Sequence, residues 1–347
     1  MDQTEKPWNN VYTINLDVTP GQTLQSNTSN ELKMDAKPRG VALIFVTVPE
    51  LALEAERYRS IFQQLLFEPV ICPALTRDQT VAKLSEVADT NTKYKGDAFI
   101  MMFIGHGYNE RIIGWSAFPQ WPPAPGDVLP VRDIVAMFSE TRCRPLAQKA
   151  KMFIFNCCSE MSDTECLAPG FVNSQSIDTM TSLDTKWKTD NKLTHVIYAC
   201  AQGSKAWHDQ VNGPIGHVSV FGQALSHTIA QYSWQKNVYQ LFVMSVNRLE
   251  EELQRKDKTN RQTEIKMVTV DKKLFFNPGL FNNKHDRAVR YTTVLCTTRN
   301  DAYGQKRNRY SVGRIATDGD NTVLTNTQRT LSLSRRNIIV GTDTRRP

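Results

Sequence analysis

The chain has 347 residues, 40% of them hydrophobic, enough for a substantial core in one large domain or two ordinary ones. Its mean hydropathy is -0.42, it has no run of about 18 apolar residues, and no charged-then-apolar stretch follows Met1, which argues against a membrane span and a secretory signal. The net charge of +7 is concentrated at one end, because residues 281–347 hold 13 Lys/Arg against 5 Asp and the remainder is about neutral. Seven cysteines, two of them adjacent at Cys157 and Cys158, form no disulfide framework, so reduced thiols in a cytoplasmic protein are expected.

Residues 1–38 are polar, poor in aliphatic side chains, and read as a flexible leader. The continuous apolar run 41–48 is a strand buried on both faces of a sheet. The period then changes: Tyr58, Ile61, Phe62, Leu65 and Leu66 share one face of a helix over 54–66. A short strand at 70–72, a helix at 80–88 and a buried strand at 98–104 follow, the last ending in Gly105-His106-Gly107. Residues 118–130 carry five prolines and are expected to form a surface loop. A helix at 131–138 and a strand at 152–155 come next, the strand running into Asn156-Cys157-Cys158. This alternation predicts an α/β fold with a mostly parallel sheet and helices on both faces.

The polar stretch 159–193, with Asp178, Asp184 and Asp190, reads as an internal linker. Beyond it the sequence predicts a strand at 195–200, helices at 220–231 and 238–254, and a strand at 265–270. The basic end is expected to be an extension, either a solvated tail or a surface attracted to an acidic partner. No phosphate-binding loop, dinucleotide fingerprint or zinc-spaced Cys/His cluster is present, so neither metal nor cofactor is implied. His195, His217, His227 and His285 read as ordinary surface or helix residues.

Ligands of open α/β sheets bind beyond the carboxyl ends of the strands, and here those ends deliver a histidine between two glycines and a cysteine pair. A thiol is a competent nucleophile beside an imidazole, and acyl transfer also needs backbone N–H groups for the oxyanion. His106 precedes Cys158 by 52 residues, near the separation of about 50 found in caspases.

With these residues in place, the chain resembles a caspase from about 39 to 276. Phe103-Ile104-Gly105-His106-Gly107 is similar to the family's histidine loop, and Arg142-Cys143-Arg144-Pro145-Leu146 with Lys151-Met152-Phe153-Ile154 is similar to the approach to its catalytic cysteine. Trp207, Phe221-Gly222-Gln223-Ala224-Leu225, Val246-Asn247-Arg248 and Lys273-Leu274-Phe275-Phe276 resemble the family's small subunit. The resemblance implies a six-stranded sheet divided into a leader (1–38), a large-subunit-like part (39–162), an intersubunit linker (163–193), a small-subunit-like part (194–278) and the basic extension (279–347).

It further implies Cys158 as nucleophile, His106 as general base and acid, the N–H groups of Gly107 and Cys158 as the oxyanion hole, and Asn156, Trp207 and His208 as substrate-binding residues. Processing after Asp178, Asp184 or Asp190 is expected, as is homodimerisation, or pairing with another caspase, through the strand at 265–270. The implied substrates are proteins or peptides, in cell-death or immune proteolysis. Three departures touch the pocket for the residue before the cut, P1. The pentapeptide Gln-Ala-Cys-Arg-Gly is replaced by Asn156-Cys157-Cys158-Ser159-Glu160, His208 stands for one arginine, and the loop carrying the other is shortened between Val48 and Glu54. Arg57 or Arg59 is a candidate substitute. A strict aspartate preference is therefore not expected, and two readings stay open: an active endopeptidase of altered specificity, or an inactive homologue that regulates an active caspase by dimerising with it.

Overall fold

A computed structural model describes residues 12–89, 96–159, 176–201, 205–256 and 264–282, together with backbone strands between 293 and 326. The chain divides into two units, Met1–Asn282 and Asn283–Pro347. The first is built on six strands, β1 (Val41–Val46), β2 (Glu68–Pro73), β3 (Ala98–Ile104), β7 (Ala150–Asn156), β8 (Thr194–Tyr198) and β11 (Glu264–Val268). Their order across the sheet is β11-β8-β7-β3-β1-β2, and every neighbour is parallel except the edge pair β11–β8.

Period-2 alternation within these strands feeds two separate cores. Ala42, Ile44, Ile100, Met102, Met152 and Ile154 point to one face, where α1 (Ala52–Gln64), α6 (Val220–Tyr232) and α7 (Val238–Arg255) cover them. Phe45, Phe99, Met101, Phe103, Phe153 and Phe155 point to the other, under α2 (Arg77–Asp89) and α3 (Val131–Met137). Phe99 stacks on Phe138 with ring centroids 4.3 Å apart and meets Phe153 edge-on at 6.0 Å, which locks α3 to the sheet. Burial on both faces explains why the strands read as continuous apolar runs.

Several expectations are corrected. The segment 12–38 is a strap packed on the body: Leu16, Val18, Leu32 and Met34 join the first core, and the Thr19 and Leu32 N–H groups donate to Ala230 and Lys273 carbonyls at 2.9 Å. Its apolar residues are few, but Leu16 and Val18, like Leu32 and Met34, alternate, and a composition average hides that pairing. Arg39, fully buried, anchors the strap's end by donating to the carbonyls of Ala36, Asn277 and Leu280. Residues 118–130 are mostly loop, yet Val128–Pro130 forms a strand, β6, that joins β4 (Gly107–Tyr108) and β5 (Arg111–Ile113) in a small antiparallel sheet.

The described part of the expected linker is helical, as α4 (Ile177–Leu183) and α5 (Thr185–Asp190), each opened by a side-chain cap from Ser176 and Asp184. Residues 160–175 lie outside the described residues. His195 is buried in β8 rather than on the surface or a helix, whereas His227 is a helix residue as expected, buried in α6, and His285 lies outside the described residues. The second unit contains an antiparallel meander of β12 (Thr293–Asn300), β13 (Lys306–Asp318) and β14 (Asn321–Asn326), where a tail was one expectation. Thr, Val, Ile and Tyr are frequent in these strands, a β-forming composition that the arginines obscured. Among the described residues no helix is long and apolar enough to cross a membrane.

The strap makes a stability prediction. Met34 has no exposed surface, so Met34→Ala should lower unfolding free energy by about 2–5 kcal/mol in a urea titration. A change below about 0.5 kcal/mol would show that the strap is not part of the cooperative fold.

Candidate active site

The site is set by the pairing of β3 with β7, in which Ile104 is opposite Asn156. Both strands end at this register, so the loops Gly105-His106-Gly107 and Cys157-Cys158 leave the sheet side by side. The Gly105 N–H donates to the Asn156 carbonyl at 3.2 Å. Gly107 then lies on the cysteine loop: a Cβ there would collide with the Cys158 carbonyl oxygen and come 2.7 Å from Cys157 Sγ. Only glycine lets the two loops approach so closely. The hairpin formed by β4 and β5 holds the histidine loop from its far side, with the Ile113 N–H donating to the His106 carbonyl at 2.9 Å.

The two cysteines are not equivalent. Cys157 is buried beneath the loop, and burial, reinforced by neighbouring Cys200 and Cys158, pushes its thiol well above the ordinary range. Cys158 is half-buried, and its Sγ receives the Ala206 N–H at 3.3 Å. The same Sγ also donates to the Ala206 carbonyl at 3.5 Å. His106 is exposed and lines a cavity of about 270 Å³.

The other side of Cys158 is formed by the segment leading into the hairpin of β9 (His208–Gln210) and β10 (His217–Ser219). Trp207 packs on the first core, and its carbonyl receives the Val220 N–H at 2.9 Å. His208 is exposed and lies opposite Ser219 in the hairpin. Ser219 caps α6 and accepts from Asn156 Nδ2 at 2.6 Å. The structure thus links Asn156, Trp207 and His208 around Ser219.

Behind Asn156 stands Glu54, a residue that sequence reasoning treated only as the start of a helix. Its side chain is fully buried and accepts three hydrogen bonds: from Asn156 Nδ2 at 2.8 Å, Ser219 Oγ at 2.8 Å and the Ser219 N–H at 2.5 Å. Burial pushes its carboxyl up to about 7 against the opposing pull of these donors. The signal for it was present: Glu54 lies four residues before Tyr58 and shares its core-facing side of α1, where a charge needs a built partner.

Neither candidate arginine fills a P1-reading role. Arg57 is buried and donates to the Thr13 carbonyl, Gln223 and Ser226. Arg59 is exposed and pairs with Glu56 at 2.5 Å. The linker aspartates are also engaged. Asp178 pairs with Lys266 at 2.9 Å, Asp184 caps α5 by accepting the Trp187 N–H at 2.8 Å, and Asp190 accepts from Thr141 N and Oγ1 at 3.0 and 2.7 Å.

The caspase-domain sequence profile matches residues 47–275, which include His106, Cys158, Asn156, Trp207, His208 and Glu54. Among curated proteins the chain is similar to mouse caspase-6, 25% identical over 241 residues that cover 63% of this chain and 80% of the relative. Rat caspase-6 is 25% identical over 238 residues with the same coverage of both chains. Chicken caspase-6 is 26% identical over 201 residues, 53% of this chain and 62% of the relative.

The unequal burial of the two thiols has a direct readout. Iodoacetamide near neutral pH should modify Cys158 at least about tenfold faster than Cys157, followed by peptide mass spectrometry. Equal rates, or Cys157 reacting first, would overturn the choice of Cys158 as the accessible thiol.

Proposed function

The chain belongs to the caspase-domain family of cysteine peptidases, and from that premise we propose that it is an endopeptidase in which Cys158 is the nucleophile and His106 the proton carrier. The observation that carries this reading is the close packing of Gly107 on Cys158, which holds the two loops together at one end of the sheet. His106 takes the thiol proton, and the sulfur bonds to the scissile carbonyl carbon while the carbonyl electron pair moves onto oxygen. The N–H groups of Gly107 and Cys158 receive that oxyanion. Collapse breaks the C–N bond as the imidazolium protonates the departing amine. Water, giving a proton to His106, then attacks the thioester; the C–S bond breaks and the carboxylic acid product leaves.

Asn156, Trp207 and His208 form the substrate side, and the loss of both family arginines supports a P1 specificity that is not strictly aspartate. A bidentate guanidinium is the group that holds a buried carboxylate, and neither Arg57 nor Arg59 offers one there. Substrates are proteins or peptides in cytoplasmic cell-death or immune proteolysis, an assignment that rests on the family. Dimerisation through β11 fits its position at the sheet edge, where Met267 is 45% exposed. The basic extension is suited to an acidic partner. Processing after Asp178, Asp184 or Asp190 requires α4 or α5 to open first, because all three are held by contacts.

The altered P1 residues also favour a second reading, a homologue that binds and regulates an active caspase. A peptide library incubated with the full chain under reducing conditions, with cut sites read by mass spectrometry, separates the two. Cleavage should disappear in Cys158→Ala, and His106→Ala should lower kcat by about 10²–10⁴-fold. Cleavage that persists in Cys158→Ala, or none from the wild type, would reject the endopeptidase.

A further inference from the structure

The geometry behind Asn156 points beyond the loss of aspartate specificity, and we propose that the Asn156 substrate site selects a cationic P1 side chain, lysine or arginine, with Glu54 as the specificity-determining carboxylate. The proposal rests on the cysteine-peptidase reading above and names the substrate class of that same site.

Asn156 ends β7 two residues before the nucleophile, and both hydrogens of its amide nitrogen are committed inward. One goes to Glu54 Oε1 at 2.8 Å and the other to Ser219 Oγ at 2.6 Å. Turning the amide over would set its oxygen against the carboxylate, so Glu54 fixes the orientation. Asn156 Oδ1 is left buried without a hydrogen-bond partner among the described residues, although Asn156 as a whole is 3% exposed. A buried acceptor of this kind calls for a donor.

A P1 ammonium or guanidinium supplies that donor and lies one amide group from a carboxylate of opposite charge. A P1 aspartate meets an acceptor where it needs a donor, and a like charge behind it. Arg57 and Tyr58 are the other titratable groups that act on Glu54, and both belong to α1. The guanidinium of Arg57 is held by Thr13, Gln223 and Ser226, and the Tyr58 hydroxyl donates to the Gly222 carbonyl at 2.9 Å. The cavity beside His106 has the same sign, since Glu50 and Asp127 line it together with Thr47 and Trp115, and among the described residues no Lys or Arg does.

Two measurements on the full chain test the proposal. In turnover, fluorogenic peptides that differ only at P1 should give kcat/KM at least about tenfold higher for Arg or Lys than for Asp. Glu54→Gln should reduce the ratio of P1-Arg to P1-Gln turnover by about tenfold or more. In binding, Cys158→Ala should hold a P1-Arg peptide at least about tenfold more tightly than its P1-Asp counterpart, by fluorescence anisotropy.

The binding arm stands without catalysis. Selective binding with no turnover would uphold the pocket and reject the protease. Turnover that prefers Asp, or equal affinity for the Arg and Asp peptides, would overturn the pocket alone. Should Glu54→Gln fail to fold by circular dichroism, the wild-type P1 ratio and the binding arm still decide.

Discussion

Everything at the candidate site follows from one register, Ile104 opposite Asn156 in the parallel pair β3–β7. Parallel strands carry their carboxyl ends to the same side of a sheet, so two loops separated by 52 residues in sequence emerge as neighbours. Shifting the pair by one residue would also turn Phe99 and Phe153 out of their shared core and Ile100 and Met152 out of theirs. The hydrophobic alternation that builds the two cores is thus the same constraint that aligns His106 with Cys158. Gly107 completes it, because any side chain there would drive the loops apart.

Around that frame the polar groups are arranged with a definite sign. Burying a carboxylate is strongly unfavourable unless donors surround it. Glu54 meets this condition with three donors, two of them from the first residue of the α6 cap. The same bonds join α1, β7 and β10, so the charge also ties the helix after the first strand to the hairpin that carries His208. Removing the carboxylate alone would leave Asn156 and Ser219 with unmatched donors, which makes the network a unit rather than three separate contacts.

The strands β1, β3, β7 and β8 were legible because burial on both faces leaves uninterrupted apolar runs, and α1, α6 and α7 because their apolar residues recur at helical spacing. His106 and Cys158 were legible through their glycine neighbours and their separation. Glu54 was passed over although its spacing from Tyr58 puts it on the inward side of α1, because a glutamate in the first turn of a helix is ordinary; the partners that receive it, Asn156 and Ser219, come from distant segments and only the fold shows them. The strap at 12–38 was missed for the opposite reason: four apolar residues suffice when a ready-made surface receives them, however polar the average. The helices α4 and α5 were hidden by their composition, and they stand because Ser176 and Asp184 cap them and Lys266 holds the first by Asp178.

The strap and the pocket are connected through a residue that belongs to neither. Arg57 follows Glu54 by three positions on α1, a spacing at which opposite charges commonly pair across one turn. Here the Thr13 carbonyl accepts from Nε at 2.8 Å and from Nη2, and Gln223 and Ser226 of α6 accept from Nη1. The arginine is therefore occupied on the strap side of the helix, while Glu54 turns to Asn156 and Ser219. A strap that did not reach Thr13 would leave two guanidinium donors, Nε and Nη2, without their acceptor. A segment whose sequence looks like solvent-exposed leader thus helps hold the buried cation that stands one helical turn from Glu54.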